Sequence, residues 1–215
     1  MVLNRYQKII KIPDKDPVFI WKQRNEFMLK KKLLFVNACI RDNSRTEELS
    51  RQYLKKFENE YQIEEVKVSA LDIEPFDTKA LKQRDMDMSQ GRLDSESYHL
   101  AHQFAQADRI VIAAPYWDCL FPAILRTYLE HICVTGIAFA YGPNGSLVKT
   151  CQADSMTYIT TCGGFLPEHS AIEAFVRELG TLFSIDDVRF YAAEGLDIEP
   201  AKVPEILEHK FREMQ

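Results

Sequence analysis

The stretch ADRIVIAAPYWDCLFPAILRTYLEHIC, residues 107–133, contains a strand, a loop and a helix in direct succession. ADRIVIAAP is the clearest buried strand in the sequence, because a short apolar run bounded by turn residues is typical of a strand covered on both faces. PAILRTYLEHIC follows with apolar residues three and four positions apart, which predicts an amphipathic helix with Pro122 in its first turn. A buried strand followed by a helix is the repeating unit of parallel α/β sheets.

The same alternation continues on both sides of this unit. Further strands are predicted at LLFVNA (33–38), VKVSALDI (66–73), SMTYITT (155–161) and VRFYAAEG (188–195). Further helices are predicted at TEELSRQYLKKFENEY (46–61), SYHLAHQFAQ (97–106), EHSAIEAFVRELGTLF (168–183) and EILEHKFREM (205–214). Residues 74–95 show no clear period and are predicted as a connection.

Strands separated by helices imply a parallel sheet with right-handed crossovers and helices on both faces. Their number and order suit an α/β flavodoxin-like three-layer sandwich, whose five-stranded parallel sheet has the order 2-1-3-4-5. In that topology ligands bind beyond the carboxyl ends of strands one and three, where the strand order reverses. We therefore expect the loops 39–46, 115–121 and 161–167 to form the functional site.

Length and charge favour one globular domain with a basic extension. A chain of 215 residues is long enough for one domain with a substantial core, and its net charge of −5 argues against nucleic acid as a partner. Residues 1–32 contain nine Lys or Arg and three Asp or Glu, a net of +6, whereas the remaining 183 residues carry a net of −11. The sequence thus predicts an N-terminal basic arm at 1–32 and an α/β domain at 33–215.

Cysteine usage and hydropathy favour a cytoplasmic protein without a membrane partner. The five cysteines are scattered without a C-x-x-C pair, and an odd number does not suggest a disulfide framework. The longest stretch without Asp, Glu, Lys or Arg, residues 131–148, is interrupted by Gly, Pro and Asn and does not predict a membrane span. The N-terminus has no continuous apolar segment of the kind found in signal peptides.

The first loop, within NACIRDNSRTEEL (37–49), contains the spacing of a cysteine phosphatase. In that hypothesis the Cys39 thiolate is the nucleophile and the Arg45 guanidinium binds the phosphoryl oxygens. The intervening residues fit poorly, because a phosphate cradle favours glycine and small residues, whereas this loop has no glycine and places Asp42 beside the anion.

Two other hypotheses use the same loop differently. Ser44, Arg45 and Thr46 lie at the start of the first helix, where free amides and the helix dipole favour the phosphate of a cofactor. Alternatively, Ser44 and Glu47 form a capping box, S-x-x-E, without any ligand. The loop alone leaves these alternatives open.

The second and third loops favour a flat aromatic ligand. The second delivers the adjacent aromatic residues Tyr116 and Trp117 to the crevice, and the third contains the pair Gly163 and Gly164. Glycines allow the backbone to approach a planar ligand closely. Three loops with these properties at one sheet edge favour cofactor binding.

Residues 107–141 resemble the family of FMN-dependent NADH:azoreductases and NAD(P)H:quinone oxidoreductases. The family pattern is an A-P-M-Y-N-F-type loop, then P-A-x-L-K-x-Y, then a G-x-T-F-x-Y stretch, and weaker similarity extends over residues 33–197. The resemblance implies a flavodoxin-like fold and assigns three groups of cofactor-binding residues. They are Ser44, Arg45 and Thr46 at the FMN phosphate, Pro115, Tyr116, Trp117, Asp118 and Cys119 at the isoalloxazine edge, and Thr161, Cys162, Gly163 and Gly164 in the third loop.

The resemblance also implies an activity. NADH or NADPH would deliver a hydride to flavin N5 and leave, after which a quinone or azo compound would take the hydride in a ping-pong cycle. Tyr141 and Phe165 are assigned to substrate binding. The family forms homodimers, and the apolar and aromatic residues Phe121, Ile137, Phe139 and Tyr141 exceed what one modest α/β core needs near its ligand edge, which favours a dimer here. Asp118 and Cys119 depart from the family, which commonly has Asn and an aromatic residue there.

The alternative function is a non-enzymatic flavodoxin-like electron carrier, which would bind FMN without a nicotinamide pocket. The cysteine phosphatase is the second alternative. No catalytic side chain is expected in the oxidoreductase, because the cofactor carries the chemistry. No metal site is expected either: His99 and His102 share one helix face, but no further ligand lies nearby in the sequence.

Overall fold

The computed structural model describes residues 30–215, in which strands and helices alternate. The elements are β1 Lys31–Asn37, α1 Arg45–Leu54, β2 Tyr61–Lys67, α2 Thr78–Ser89, α3 His99–Ala105, β3 Arg109–Ala113, α4 Ala123–Ile132, β4 Ala140–Tyr141, β5 Leu147–Val148, β6 Ser155–Thr161, α5 Ala171–Leu182, β7 Asp187–Ala193 and α6 Val203–Glu213. Single 3₁₀ turns lie at Lys55–Phe57, Val68–Ala70, Glu96–Tyr98 and Pro200–Lys202. The basic arm predicted at 1–32 lies outside the described residues except for its last three positions, and β1 already begins at Lys31.

The central sheet has five parallel strands in the order β2-β1-β3-β6-β7. The predicted strands four and five are β6 and β7. This order confirms the flavodoxin-like α/β sandwich with a sheet of order 2-1-3-4-5. Strands β4 and β5 form a separate antiparallel hairpin that the sequence analysis did not predict.

Two layers of helices cover the two faces of the sheet. Alternate strand residues point to opposite faces, so Leu34 and Val36 join one hydrophobic cluster while Leu33 and Phe35 join the other. Helices α3, α4 and α5 pack on the first face, and α1 and α6 pack on the second. Burial on both faces explains why the central strands are continuous apolar runs.

Two residues assigned to a subunit surface belong to the core of the chain itself. Ile137 is 6% exposed and Phe139 is 8% exposed, and each packs within a hydrophobic cluster of the described domain. Phe121 is half-buried, with its ring 5.2 Å from that of Phe175. For Ile137 and Phe139 the expectation that they exceed the needs of one core was therefore wrong, while the dimer itself stays a prediction.

The second strand lies earlier in the chain than predicted. The sequence pattern predicts a strand at 66–73 and a first helix that continues to residue 61, whereas α1 ends at Leu54 and β2 pairs with β1 from Tyr61 to Lys67. The reason is that β2 is an edge strand, where Glu64 and Glu65 interrupt the apolar pattern.

Helix α2 lies in the segment predicted as a connection. Only Asp87 of this helix is buried, so the sequence has no apolar stripe to reveal it. The Asp77 side chain caps the helix by accepting a hydrogen bond from the Ala80 amide at 2.7 Å. Asp87 anchors it by accepting hydrogen bonds from Arg92 and from the Tyr98 hydroxyl.

Candidate functional site

The three expected loops meet at the carboxyl edge of the sheet. The Ala38 amide donates to the Ala113 carbonyl at 2.8 Å, and the Tyr116 amide donates to the Thr161 carbonyl at 3.0 Å, so each loop leaves the sheet beside the next. Between them lies a cavity of about 420 Å³. It is lined by Ile40, Arg41, Asp42, Asn43, Ser44, Arg45, Thr46, Pro115, Tyr116, Trp117, Thr161, Cys162, Gly163, Leu196 and Asp197.

Most of the predicted cofactor residues lie in this cavity. They are Ser44, Arg45, Thr46, Pro115, Tyr116, Trp117, Thr161, Cys162 and Gly163. Asp118, Cys119 and Gly164 flank these residues in sequence but do not line the cavity. Tyr141 and Phe165 do not line it either: their exposed fractions are 59% and 71%, and the Phe165 ring lies against Gly195.

The start of helix α1 combines a helix cap with free amide donors. Ser44 Oγ accepts a hydrogen bond from the Glu47 amide at 3.3 Å, so Ser44 is the cap. The Glu47 carboxylate binds Arg51 and Lys67 instead of completing the capping box. Among the described residues, the amides of Arg45 and Thr46 have no acceptor, as expected in a first helical turn. The loop can therefore cap the helix through Ser44 and still offer the amides of Arg45 and Thr46 to an anion.

Thr46 connects helix α1 to the sheet at the floor of the cavity. Its side chain is 1% exposed, and its Oγ1 lies 2.6 Å from Oγ1 of Thr161 at the end of β6. Ser50, one turn later, donates its hydroxyl hydrogen to the Thr46 carbonyl at 2.7 Å. Thr46 thereby fixes the helix terminus relative to the third loop.

Two arginines and two aspartates give the cavity its charge. Arg45 Nη1 lies 2.9 Å from Asp197 Oδ1, and Arg41 lies over the Trp117 ring at 5.0 Å from its centroid. Asp42 also lines the cavity. Neither Arg41 nor Asp197 is among the residues predicted from the sequence, although Asp197 follows the carboxyl end of β7 at the same sheet edge.

Gly163 also meets a packing requirement in addition to its predicted place in the cofactor site. A Cβ atom at this position would lie 2.2 Å from Asp197 Oδ2, so the glycine makes room for the aspartate side chain. The Asp197 amide donates to the Gly163 carbonyl at 2.9 Å. At Gly164 a Cβ would meet no atom within 4 Å, which leaves open space beside the third loop.

Asp118 and Cys119 form a tight turn at the tip of the second loop. Their φ angles are 50° and 70°, and the backbones of Trp117 and Leu120 exchange hydrogen bonds of 3.0 and 2.9 Å. Two left-handed residues in a two-residue hairpin are the signature of a type I′ turn. Asp118 does not cap the next helix, since α4 begins after Pro122 without a side-chain cap.

A second cavity of about 500 Å³ adjoins the first, and Trp117 lines both. Its other lining residues are Asp118, Leu120, Phe121, Pro122, Ala123, Arg126 and Phe175. Most of these side chains are apolar or aromatic, which suits a flat organic molecule. The Trp117 indole is thus a shared wall between two ligand-sized spaces.

The cysteines do not support phosphatase chemistry. Burial raises the pKa of Cys39 to about 11, so its thiolate is disfavoured at neutral pH, and its Sγ lies 3.8 Å from the Ala113 carbonyl. Cys39 is 0% exposed and does not line the cavity. Burial likewise raises the pKa of Cys162 to about 11. A neutral, buried thiol at position 39 argues against a nucleophile.

The histidines of helix α3 bind backbone carbonyls. His99 Nδ1 lies 2.8 Å from the Glu96 carbonyl, and His102 Nε2 lies 2.8 Å from the Leu93 carbonyl. Within residues 30–215, no three His, Cys, Asp or Glu side chains are grouped so that they could hold a metal ion. In the same part of the chain, every helix is too short or too polar to cross a membrane.

Fold and site together define a class of protein. The cavity lies where the order of a parallel sheet reverses, and helix amides, two arginines, Tyr116 and Trp117 line it. Such a combination defines an α/β domain that binds a phosphate-bearing aromatic cofactor.

Comparison with known proteins identifies the family. The sequence profile of the flavodoxin-like fold family (Flavodoxin_2) matches residues 31–215, and the chain belongs to this family. The FMN-dependent NADH:quinone oxidoreductase of Clostridium beijerinckii is 33% identical over 82% of this chain and 92% of its own length. The FMN-dependent NADH:quinone oxidoreductase 2 of Clostridium acetobutylicum is 32% identical over the same shares.

Solved structures share the fold. Azoreductase from Bacillus anthracis superimposes with a TM-score of 0.74 at 20% identity, covering 86% of this chain and 96% of its own. An FMN-dependent NADH-azoreductase from Bacillus anthracis in complex with FMN gives a TM-score of 0.71 at 19% identity, covering 86% and 95%.

Proposed function

We propose that the protein is an FMN-dependent oxidoreductase that takes a hydride from NADH, or from NADPH, and passes it to a quinone or azo compound in a ping-pong cycle. One observation carries the proposal: three loops converge on a single cavity that offers both an anion site and an aromatic wall. The names of relatives at 33% and 32% identity support the same activity.

The residues of the cavity fit FMN. We assign its phosphate to the start of helix α1, where the amides of Arg45 and Thr46, the Ser44 hydroxyl and the Arg45 guanidinium are donors. We assign the flavin ring to Pro115, Tyr116 and Trp117. Thr161, Cys162 and Gly163 also line the cavity, and Asp118, Cys119 and Gly164 lie beside the lining residues in sequence.

The protein contributes binding and orientation. Bound FMN supplies a ring that accepts a hydride from a nicotinamide and donates it to an acceptor. The helix terminus fixes one end of the cofactor, and Trp117 separates it from the adjoining cavity, which we assign to the nicotinamide and the acceptor in turn. Tyr141 and Phe165 remain proposed acceptor contacts, because both expose aromatic rings and Phe165 directly follows the third loop.

We further propose that the protein is a homodimer, as the family resemblance implies. Leu120 at 40% exposure and Tyr141 at 59% offer apolar surface to a second copy. Sedimentation at micromolar concentration is expected to give twice the chain mass. A monomer under these conditions would contradict the dimer while leaving the cofactor assignment unaffected.

Two measurements test the activity. FMN titrated into the protein is expected to bind at micromolar concentration and to give a yellow complex. Anaerobic NADH should then bleach the flavin absorption at one equivalent, and a quinone should restore it. An electron carrier would bind FMN but stay yellow with NADH, although dithionite would bleach it. A colourless protein that hydrolyses an aryl phosphate would support the phosphatase instead.

A further inference from the structure

Asp197 places a carboxylate in a cavity assigned to a phosphate. We propose that Asp197 is a positioning residue, which holds Arg45 ready for the terminal phosphate and so makes the site select FMN over riboflavin. The inference rests on the proposed FMN site. It concerns a residue outside the three loops that the sequence pattern indicated.

The ion pair leaves most of Arg45 available. Only Nη1 binds Asp197, at 2.9 Å, and within residues 30–215 the guanidinium has no other hydrogen-bond partner. A guanidinium has five N–H donors in a planar fork. It can therefore bind a carboxylate at one nitrogen and phosphate oxygens at the others.

The carboxylate is itself fixed by the third loop. The Asp197 amide donates to the Gly163 carbonyl, and the side chain occupies the space that a Cβ at Gly163 would need. The glycine and the aspartate thus form one unit that directs the carboxylate toward Arg45. This arrangement connects the start of helix α1 to the loop after β7.

Stability does not account for the pair. The side chains of Arg45 and Asp197 are 42% and 73% exposed, and an ion pair this exposed adds little to the free energy of unfolding. Its effect is on Arg45, whose long side chain would otherwise lose rotamer freedom when the ligand binds. Repulsion between Asp197 and the phosphate opposes this effect, but water screens a carboxylate that is mostly exposed.

The test compares FMN with riboflavin, which has the same ring and ribityl chain but no phosphate. Dissociation constants for both are measured by flavin fluorescence with the parent protein, Asp197→Asn, Arg45→Gln and the double variant. Asp187→Asn is the control, because Asp187 forms a partly exposed ion pair with Arg189, with side chains 43% and 42% exposed, at the opposite end of β7.

Asp197→Asn is expected to weaken FMN binding about 3- to 10-fold while riboflavin binding stays within about twofold, since only the ordering of one phosphate ligand is lost. It should add no further loss of FMN affinity in the Arg45→Gln background. Gly163→Ala should lower the FMN-to-riboflavin affinity ratio in the same direction, because its Cβ displaces the carboxylate. Asp187→Asn should change neither constant.

Several results would overturn the inference. Tighter FMN binding by Asp197→Asn would show that the carboxylate mainly repels the phosphate. Equal losses of affinity for FMN and riboflavin would show that Asp197 acts on the ring or the ribityl chain, which both flavins have. An FMN-to-riboflavin affinity ratio that is unchanged in Asp197→Asn would show that Asp197 has no role in selecting FMN. A protein that shows the expected ratios but is not reduced by NADH would overturn the proposed activity alone, and a parent that binds neither flavin would overturn both.

Discussion

At the scale of single residues, the turn at Asp118 and Cys119 shows how backbone conformation and residue type can disagree. Both residues are left-handed, with φ of 50° and 70°. Asn followed by Gly is the pair most suited to a type I′ turn. Cys119 therefore occupies a position that glycine would fill with less strain, and Asp118 one that asparagine would fill equally well.

We expect Cys119→Gly to raise the free energy of unfolding by up to about 1 kcal/mol, because glycine removes the cost of a left-handed side chain. Cys119→Val should lower it, since a β-branched residue is poorly tolerated there. Urea unfolding of the two variants beside the parent provides the measurement. Equal stability of the glycine and valine variants would contradict the turn assignment.

The cysteines differ in exposure, which predicts their order of reaction. Cys119 is exposed, whereas Cys39 is fully buried with a pKa raised by burial to about 11. Because the thiolate is the reactive species, iodoacetamide at pH 8 should modify Cys119 well before Cys39 in the native protein. Peptide mass spectrometry over time measures the order. Rapid modification of Cys39 would restore the phosphatase hypothesis.

At the scale of elements, the helices and strands that bury a clear apolar face are the ones that the sequence predicts well. Strand β6 and helix α4 were predicted closely, because β6 is buried along its whole length and α4 buries one clear face. Helix α2 was missed because it buries a charged residue and no apolar stripe. Strand β2 was displaced because an edge strand tolerates charged residues that resemble a helical surface.

Asp87 should make the stability that helix α2 contributes depend on pH. The hydrogen bond from Arg92 lowers the pKa of Asp87, and Tyr98 and Gln83 donate to the same carboxylate. A depressed carboxylate pKa stabilises the fold above the ordinary pKa of Asp, and this contribution is lost as the pH falls through the folded-state value.

Asp87→Asn is therefore expected to lower the unfolding temperature at pH 7, with a difference from the parent that shrinks toward acid pH. Asp85→Asn, an exposed position on the same helix, is the control and should show little difference at any pH. Thermal unfolding between neutral and strongly acidic pH makes the comparison. A difference that is constant with pH would show that the ionised network is not responsible.

The start of helix α1 is both a helix cap and the proposed phosphate site, so stability and FMN affinity are measured separately for its variants. Ser44→Ala should cost about 1 kcal/mol of stability through loss of the cap, and it should also weaken FMN binding, because the Ser44 hydroxyl is assigned to the phosphate. Arg45→Ala combined with Thr46→Val should weaken FMN binding by about 1–3 kcal/mol, because the first change removes a hydrogen bond to the charged phosphate and the second removes the bond to Thr161 that fixes the helix terminus. Chemical unfolding and FMN titration of both variants separate the effects. Unchanged FMN affinity in the double variant would leave this loop as a helix cap only.

At the scale of the whole molecule, the sheet topology predicts where the site lies, but it does not predict the individual side-chain contacts within the site. Parallel strands bring their carboxyl ends to one edge, which is why the three loops could be placed from the sequence. The Asp197 contact depends on the loop after β7 returning over Gly163, a relation that no local pattern contains. The burial of Phe139 likewise could not be predicted from the sequence, because an aromatic residue in a loop is compatible with both a core and a surface position.

The hydrophobic core holds the sheet and its helices together. Removing a buried core side chain should therefore lower the free energy of unfolding more than removing an exposed one. Phe104 is fully buried on α3, with its ring 4.8 Å from that of Phe183 after α5. Phe104→Ala should lower the free energy of unfolding by about 3–5 kcal/mol. Phe165→Ala, at an exposed position, should stay within about 0.5 kcal/mol. Denaturant unfolding of the pair gives the comparison, and similar losses would contradict the described burial.

The long separation between Arg45 and Asp197 also has a consequence for folding kinetics. The two residues are 152 positions apart, and contacts of such separation require the closure of a large loop. The cavity is complete only after β7, the last strand of the chain, has joined the sheet. During refolding, the quenching of flavin fluorescence should therefore follow the recovery of helical circular dichroism, so that cofactor capture marks the end of folding.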